Sequence, residues 1–165
     1  YNVKDVLVPP EPLIQKQFSR IMSLKDGQKK MSKSDVSDLS RINLTDDKDK
    51  IVNKIKKAKT DPHPIPENVK DLDQRPEAEN LLGIYSSLRG QSIEKTLEEF
   101  GGKNFSEFKN NLSELLVSNI EPISKEIKNL LNNHDHLDKI LLDGGIKANE
   151  IAEKKVREIK KIIGF

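Results

Sequence analysis

The sequence predicts a mainly α-helical protein, in which an irregular amino-terminal segment precedes a helical bundle. Three observations favour this fold class. Prolines 9, 10 and 12 forbid an early helix, and beyond residue 45 apolar residues recur every three or four positions, as on one face of a helix. Apolar residues and charged residues each make up 34% of the 165 residues, a mix that fits a small helical protein with a thin core.

The first 45 residues are expected to offer at most short extended pieces, at residues 6–8 and 21–24. No independent core is visible there. The chain starts at Tyr1, without a methionine and within an apolar stretch that contains proline. This beginning predicts a fragment of a longer protein.

A lysine-rich helix is predicted over residues 46–59, with Thr45 as its amino-terminal cap and acidic residues in its first turn. Its apolar face would carry Ile51, Val52, Ile55 and Ala58. The helix must end near Thr60, because prolines 62, 64 and 66 follow it.

Two short helices are predicted next, over residues 76–89 and 93–100. Gly90 would end the first, and Ser92 would cap the second, which Gly101 and Gly102 would stop. A long helix should follow, because ten apolar residues between Phe105 and Leu131 share one helical face. Pro122 predicts a kink or break near residues 118–121.

The carboxy-terminal segment predicts a short helix over about residues 135–142 and a last helix from Ile151 to Ile163. Gly144 and Gly145 would separate them or weaken their junction. In a bundle, each amphipathic stripe must find a partner to bury against.

Charge and composition exclude some classes of protein. The net charge is only +2, so a nucleic-acid partner would have to bind a local basic face. Cysteine is absent, which excludes disulfides and thiolate metal sites. No apolar run approaches the roughly 18 residues of a membrane span, and the amino terminus lacks a signal pattern, so a soluble protein is expected.

The segment Lys30–Ser34, with the sequence Lys-Met-Ser-Lys-Ser, is the strongest chemical signal in the chain. Two lysines, hydroxyl groups and backbone N–H groups can together wrap a polyphosphate, and in nucleotidyl transfer such cations offset the charge gathering on the leaving pyrophosphate. A generic Lys-x-x-Lys pair is usually an exposed loop. A chosen five-residue string, however, occurs by chance on the order of once in ten thousand chains of this length.

This pentapeptide is the signature of class I aminoacyl-tRNA synthetases, and its surroundings narrow the resemblance. The run from Arg20 to Asp35 resembles the tryptophanyl-tRNA synthetase family, in which the position of Gly27 is often proline. Lys59-Thr60-Asp61, Arg75-Pro76-Glu77-Ala78 and the closing Ile163-Gly164-Phe165 are similar to the same family, especially its alphaproteobacterial members. The resemblance covers essentially the whole chain.

The resemblance implies that residues 1–45 are the end of a Rossmann-type catalytic domain and residues 46–165 a helical, anticodon-binding tRNA domain. It implies ATP and Mg²⁺ at the site, with tryptophan and tRNA(Trp) as further substrates. Lys30 and Lys33 would be the catalytic residues that contact the ATP phosphates, and Ile21 would meet the adenine. Met31, Ser32 and Ser34 would complete the ATP-binding segment by shaping the loop.

The resemblance also implies a homodimer in the cytoplasm or, alternatively, the mitochondrial matrix. The family's His-x-Gly-His motif and its tryptophan-recognition segment are absent from this sequence. We therefore expect the fragment alone to be inactive, although the intact protein would be a ligase. Two alternatives remain, a tyrosyl-tRNA synthetase and a non-catalytic helical RNA-binding domain derived from a synthetase.

Other candidate sites receive less support. His134-Asp135-His136 is read as an exposed helix start, and no metal site is predicted. Lysines of the helix over residues 46–59 could contact tRNA phosphates or could be ordinary solvated surface, and the sequence leaves both alternatives open. The last helix raises the same question, but Glu150, Glu153 and Glu158 partly neutralise it.

Overall fold

A computed structural model describes residues 6–14 and 18–165 of the chain. In this part of the chain there are a two-stranded hairpin and five α-helices. Internal contacts divide the described residues into two units, one within Ile14–Ile127 and the other within Tyr1–Leu13 and Lys128–Phe165. The prediction of a mainly helical chain is confirmed. No described helix is long and apolar enough to cross a membrane.

The hairpin lies in the segment predicted to be irregular. Strand β1 (Met22–Ser23) pairs antiparallel with strand β2 (Asp26–Lys30), and the register is irregular between the pair Met22–Lys30 and the pair Ser23–Asp26. The extended piece predicted at residues 21–24 therefore contains β1, whereas β2 was not predicted. Gly27 in β2 faces the first turn of helix α2 (Pro76–Arg89), where an added Cβ would lie only 2.6 Å from the backbone nitrogen of Glu77.

Helix α1 spans Lys48–Lys57, two residues shorter at each end than predicted. Thr45 is not its cap. Asp47 takes that role, with an extended backbone and a side chain that accepts a hydrogen bond from the Lys50 N–H. The cap lies later because the carboxylate of Asp46 is bound elsewhere, by the N–H of Asn43 and the ammonium of Lys54.

The next two helices have the predicted bounds. Helix α2 ends at Gly90, whose φ of 63° is the left-handed conformation that favours glycine after a helix. Helix α3 spans Ile93–Phe100 and begins at Ser92, whose side chain accepts a hydrogen bond from the Lys95 N–H. Buried Ser86 and Thr96 join the two helices through their hydroxyl groups, 2.7 Å apart.

The core of the larger unit centres on three aromatic rings. Tyr85 of α2 lies edge-on to Phe100 of α3, with ring centroids 5.1 Å apart, and Phe108 of helix α4 (Phe105–Leu131) lies 5.1 Å from Phe100. All three residues are buried. Such offset and edge-to-face pairs add about 0.5–1.5 kcal/mol beyond the burial of area, so this cluster holds the three helices together.

The predicted break near Pro122 and the predicted separation at Gly144 and Gly145 do not occur. Helix α4 continues through Pro122 to Leu131, and the backbone carbonyl of Leu115, about two turns before the proline, accepts side-chain hydrogen bonds from Ser118 and Asn119. Helix α5 is a single element, His134–Ile163, that includes Gly144 and Gly145. Each glycine costs only about 1 kcal/mol relative to alanine, and the cost of two is small for a helix of this length.

The predicted burial of the last apolar stripe is also not seen. Helix α5 has no buried residue, and Ile151 is 78% exposed. The stripe of α4 is buried only in its first half, from Phe105 to Leu116, whereas Ile123 and Leu131 are exposed. Helical periodicity shows that a face is apolar, but it does not show that a partner covers the face.

Candidate functional site

The Lys30–Ser34 segment begins at the last residue of β2 and continues as an exposed loop. The Met31 N–H donates to the carbonyl oxygen of Ile21 at 3.0 Å, and this bond closes the open end of the hairpin. Ile21 and Met31 are half-buried, while Lys30, Ser32, Lys33 and Ser34 are exposed. The predicted ATP-binding residues therefore lie together around one end of the hairpin.

The hairpin is fixed to its surroundings through its backbone. The side chain of Asn80, on the buried face of α2, makes two hydrogen bonds with Met22, one from the Met22 N–H and one to the Met22 carbonyl, both at 2.9 Å. The Leu24 N–H donates to Ser40, and the Leu24 carbonyl accepts from Lys59, at 2.9 and 2.7 Å. The hairpin thus gives the loop a fixed starting point.

The loop itself is shaped by short-range hydrogen bonds. The hydroxyl groups of Ser32 and Ser34 lie 3.0 Å apart, and the Ser34 N–H donates to the Ser32 hydroxyl at 3.3 Å. The carboxylate of Asp35 then accepts from the Ser37 N–H at 2.8 Å. This supports the shaping role that the resemblance implies for Ser32 and Ser34, although both hydroxyls remain open to solvent.

A surface depression of about 550 Å³ lies beside the loop. Its lining combines cations and apolar groups, which suits a ligand with a flat ring and a charged tail. The lining residues include Arg20, Ile21, Lys30, Met31, Lys33 and Arg41.

The two loop lysines have no ion-pair partner in the part of the chain that the structure describes. Among the described residues, neither Lys30 nor Lys33 forms a salt bridge or a side-chain hydrogen bond. An ammonium group on a flexible stem, without a partner, is free to follow a phosphate. The arrangement can therefore bind an anionic, phosphate-rich ligand without first breaking an internal contact.

A polar cluster behind the loop was not predicted from the sequence. Lys54 of α1 is 2% exposed, and its ammonium nitrogen lies 2.6 Å from the Asp46 carboxylate and 2.8 Å from that of Asp38. Hydrogen bonds from Lys54 and then Asn43 lower the pKa of Asp38 below its usual value. The burial of Lys54 could have been predicted from its position, because residue 54 lies on the same helical face as Ile51, Ile55 and Ala58.

The burial of Lys54 reduces the number of lysines in the lysine-rich helix that could contact tRNA. This lysine cannot contact tRNA, because both carboxylates occupy its ammonium group inside the fold. The remaining lysines of the helix and its end, Lys48, Lys50, Lys56, Lys57 and Lys59, are exposed. In α5, Arg157 pairs with Glu153 and Lys155 with Glu158, as the acidic residues of that helix suggested.

The histidine-rich segment lies at the start of α5, where the side chain of Asn133 accepts from the His136 N–H. The prediction of an exposed helix start is confirmed. Within residues 6–14 and 18–165, no cluster of three or more histidine, aspartate or glutamate residues could hold a metal ion.

One family of proteins matches the part of the chain that contains the hairpin, the lysine-bearing loop and the helices α1 to α3. The family model for tRNA synthetases class I (W and Y) matches residues 1–120. The chain belongs to this family.

Within the family, the chain is similar to tryptophan–tRNA ligases. It is 55% identical to that of Rhizobium meliloti over 157 residues, which are 95% of this chain and 44% of the relative. It is 56% identical to the Agrobacterium fabrum ligase over 94% of this chain and 44% of the relative, and 46% identical to the Caulobacter vibrioides ligase over 100% and 48%. The chain spans about half the length of these curated relatives.

Solved structures of tryptophanyl-tRNA synthetases share this fold. The Mycoplasma pneumoniae enzyme superposes with a TM-score of 0.76 at 25% identity, over 92% of this chain and 45% of that one. The Campylobacter jejuni enzyme gives a TM-score of 0.62 at 26% identity, over 98% and 48%. A helical carboxy-terminal part of a class I synthetase is therefore the fold of this chain.

Proposed function

We propose that this chain is the carboxy-terminal part of a tryptophan–tRNA ligase, in which Lys30 and Lys33 bind the phosphates of ATP. The observation that carries the proposal is a pair of exposed lysines, without an ion-pair partner among the described residues, on a hairpin-anchored loop beside a depression. Residues 1–45 would end the catalytic domain, and residues 46–165 would form the helical tRNA-binding domain. Residues 1–5 and 15–17 of the first part lie outside the described residues.

The reaction proposed has two steps. A carboxylate oxygen of tryptophan attacks the α-phosphorus of ATP, the bond from that phosphorus to the bridging oxygen breaks, and pyrophosphate leaves. The aminoacyl group then passes to a terminal hydroxyl of tRNA, and AMP leaves. Lys30 and Lys33 would stabilise the negative charge that gathers on pyrophosphate as its bond breaks, an interaction stronger in the transition state than in the ground state.

The remaining predicted site residues would orient ATP. Ile21 and Met31, with Ile42 and Leu44, line the apolar part of the depression, where adenine would lie. The Ser32 and Ser34 hydroxyls are exposed beside the lysines. Mg²⁺ typically keeps several waters and binds through substrate phosphates with one or two carboxylates. We therefore expect Mg²⁺ to be carried mainly by ATP.

The tRNA would be the macromolecular partner. Support comes from Lys48, Lys56 and Lys57 of α1, which are exposed and form no salt bridge with another described residue. A homodimer and a cytoplasmic or mitochondrial location remain expectations that the resemblance alone supplies.

The test is ATP–pyrophosphate exchange by the full-length protein. We expect exchange that depends on tryptophan and not on tyrosine, and Lys33→Ala should lower its rate at least 30-fold, because loss of a transition-state contact costs about 2 kcal/mol or more. Exposed Lys57→Ala is the matched control. A rate within twofold of wild type for Lys33→Ala would contradict the role of the loop. Tyrosine-dependent exchange would favour the tyrosyl enzyme, and no exchange with either amino acid would favour a non-catalytic RNA-binding domain.

A further inference from the structure

Arg41 connects the end of the loop to the polar cluster behind it. Its Nη1 donates to the backbone carbonyl oxygens of Asp35 at 3.0 Å and Ser37 at 3.4 Å. Its Nε donates to Oδ1 of Asn43 at 3.1 Å, and its Nη2 lies 3.4 Å from the Asp38 carboxylate. One guanidinium therefore spans the segment that directly follows Lys30–Ser34.

Asn43, which accepts a hydrogen bond from Arg41, is held in place by the carboxylates that surround the buried ammonium group of Lys54. Asn43 is held from both sides: its N–H donates to Asp46 at 2.8 Å, and its side-chain amide donates to Asp38 at 2.9 Å. Both carboxylates bind the ammonium of Lys54. A lysine that is 2% exposed is tolerated only when carboxylates compensate its charge in a defined geometry, so Asn43 has little freedom to move.

The guanidinium makes most of its contacts with the protein. Arginine has five N–H donors in a fixed planar fork, and contacts from Nε, Nη1 and Nη2 already engage all three nitrogens. Arg41 nevertheless lines the same depression as Lys30 and Lys33. Its position allows it to act on a ligand through the loop, by fixing where Lys33 lies.

We propose that Arg41, held by Asn43 and the Lys54–Asp46–Asp38 cluster, is a positioning residue that fixes the carboxy-terminal end of the Lys30–Ser34 loop so that Lys33 reaches the phosphates in the transition state. This inference rests on the proposed function. Lys33 is exposed and has no side-chain partner within residues 6–14 and 18–165, so its average position depends on how firmly the two ends of the loop are held. The hairpin fixes one end and Arg41 fixes the other.

The experiment measures tryptophan-dependent ATP–pyrophosphate exchange by full-length wild type, Arg41→Met, Arg41→Lys and Asn43→Ala, with melting temperatures for all. We expect Arg41→Met to lower kcat at least fivefold while the KM for tryptophan stays within twofold. Arg41→Lys should not restore the rate, since a single ammonium cannot span Asn43 and the Asp35 carbonyl. Asn43→Ala should lower kcat two- to threefold. Arg89→Met, at the exposed end of α2, is the control and should match wild type.

A double-mutant comparison separates positioning from a general structural effect. If Arg41 acts through Lys33, Arg41→Met should change kcat less than twofold in a Lys33→Ala background. An undiminished fivefold effect there would overturn the inference, as would a wild-type rate for Arg41→Met or full rescue by Arg41→Lys. If Arg41→Met melts at a lower temperature than wild type, the effect of Asn43→Ala on kcat is measured instead, with and without Lys33→Ala. An effect of Asn43→Ala that persists undiminished in the Lys33→Ala background would overturn the inference. Absence of exchange in the wild type would overturn the proposed function itself, and this inference with it.

Discussion

Lys54 in α1 and Lys33 in the loop carry the same ammonium group in opposite surroundings. Lys54 is 2% exposed and lies within 2.8 Å of two carboxylates, whereas Lys33 is exposed and, among the described residues, without a charged partner. Lys54 has exchanged solvation for fixed contacts and is part of the fold. Lys33 keeps its solvation and its conformational freedom. A lysine that binds negative charge as it develops on a phosphate requires this freedom.

The largest effect should follow from removing the buried member of this pair. Lys54→Met leaves Asp46 buried without its counter-ion, and breaking a buried ion pair in this way costs about 3–5 kcal/mol. Urea denaturation of the full-length protein measures the loss, with Lys57→Met on the exposed face of α1 as control, expected within about 0.5 kcal/mol. If the two variants are equally stable, the buried pair does not stabilise the fold.

A second variant tests whether the cost comes from the uncompensated charge. Addition of Asp46→Asn to Lys54→Met should recover part of the lost free energy, because it removes the buried carboxylate's charge. Simple additivity of the two losses would show that packing, and not charge, dominates at this position.

Asn80→Ala should have the next largest effect. Its side chain makes both hydrogen bonds to Met22, and removing it leaves a part-buried N–H and carbonyl without partners, at about 1–3 kcal/mol. Denaturation measures the loss, and Asn111→Ala, on the exposed face of α4, is the control. Since Asn80 holds the hairpin, exchange activity should fall as well. Unchanged stability and activity would show that other contacts suffice to hold β1.

These buried polar residues mark the limit of what the sequence predicts. The end of α2 and the bounds of α3 followed from the signals of Gly90, Ser92 and Gly101, because caps and stops act locally. The partners of Asn80 and Lys54 could not be predicted, since Asn80 binds a strand 58 residues away and Lys54 looks like its solvated neighbours. The pentapeptide itself was recognisable because its residue types carry the chemistry, whereas Arg41 contributes only through its position.

A smaller effect on stability, dependent on pH, is expected from the ionisation of Asp38 in the cluster. Because hydrogen bonds from Lys54 and Asn43 lower the pKa of Asp38 in the folded state, this carboxylate stabilises the fold above its unfolded pKa of about 3.8, and the contribution is lost as pH falls through the lower folded value. The stability difference between wild type and Asp38→Asn should therefore be present at pH 7 and shrink below about pH 3.8. A difference that does not change with pH would mean that the charge of Asp38 plays no part.

The smallest expected effect on stability belongs to the loop lysines, and it completes the comparison. Lys30→Met and Lys33→Met remove exposed charges without breaking any contact among the described residues, so the unfolding free energy should change by no more than about 0.5 kcal/mol. The same variants should lose most of the ATP–pyrophosphate exchange rate. A stability loss near that of Lys54→Met would show that a loop lysine is bound within the fold, and the distinction between a structural and a substrate-binding lysine would then fail at this site.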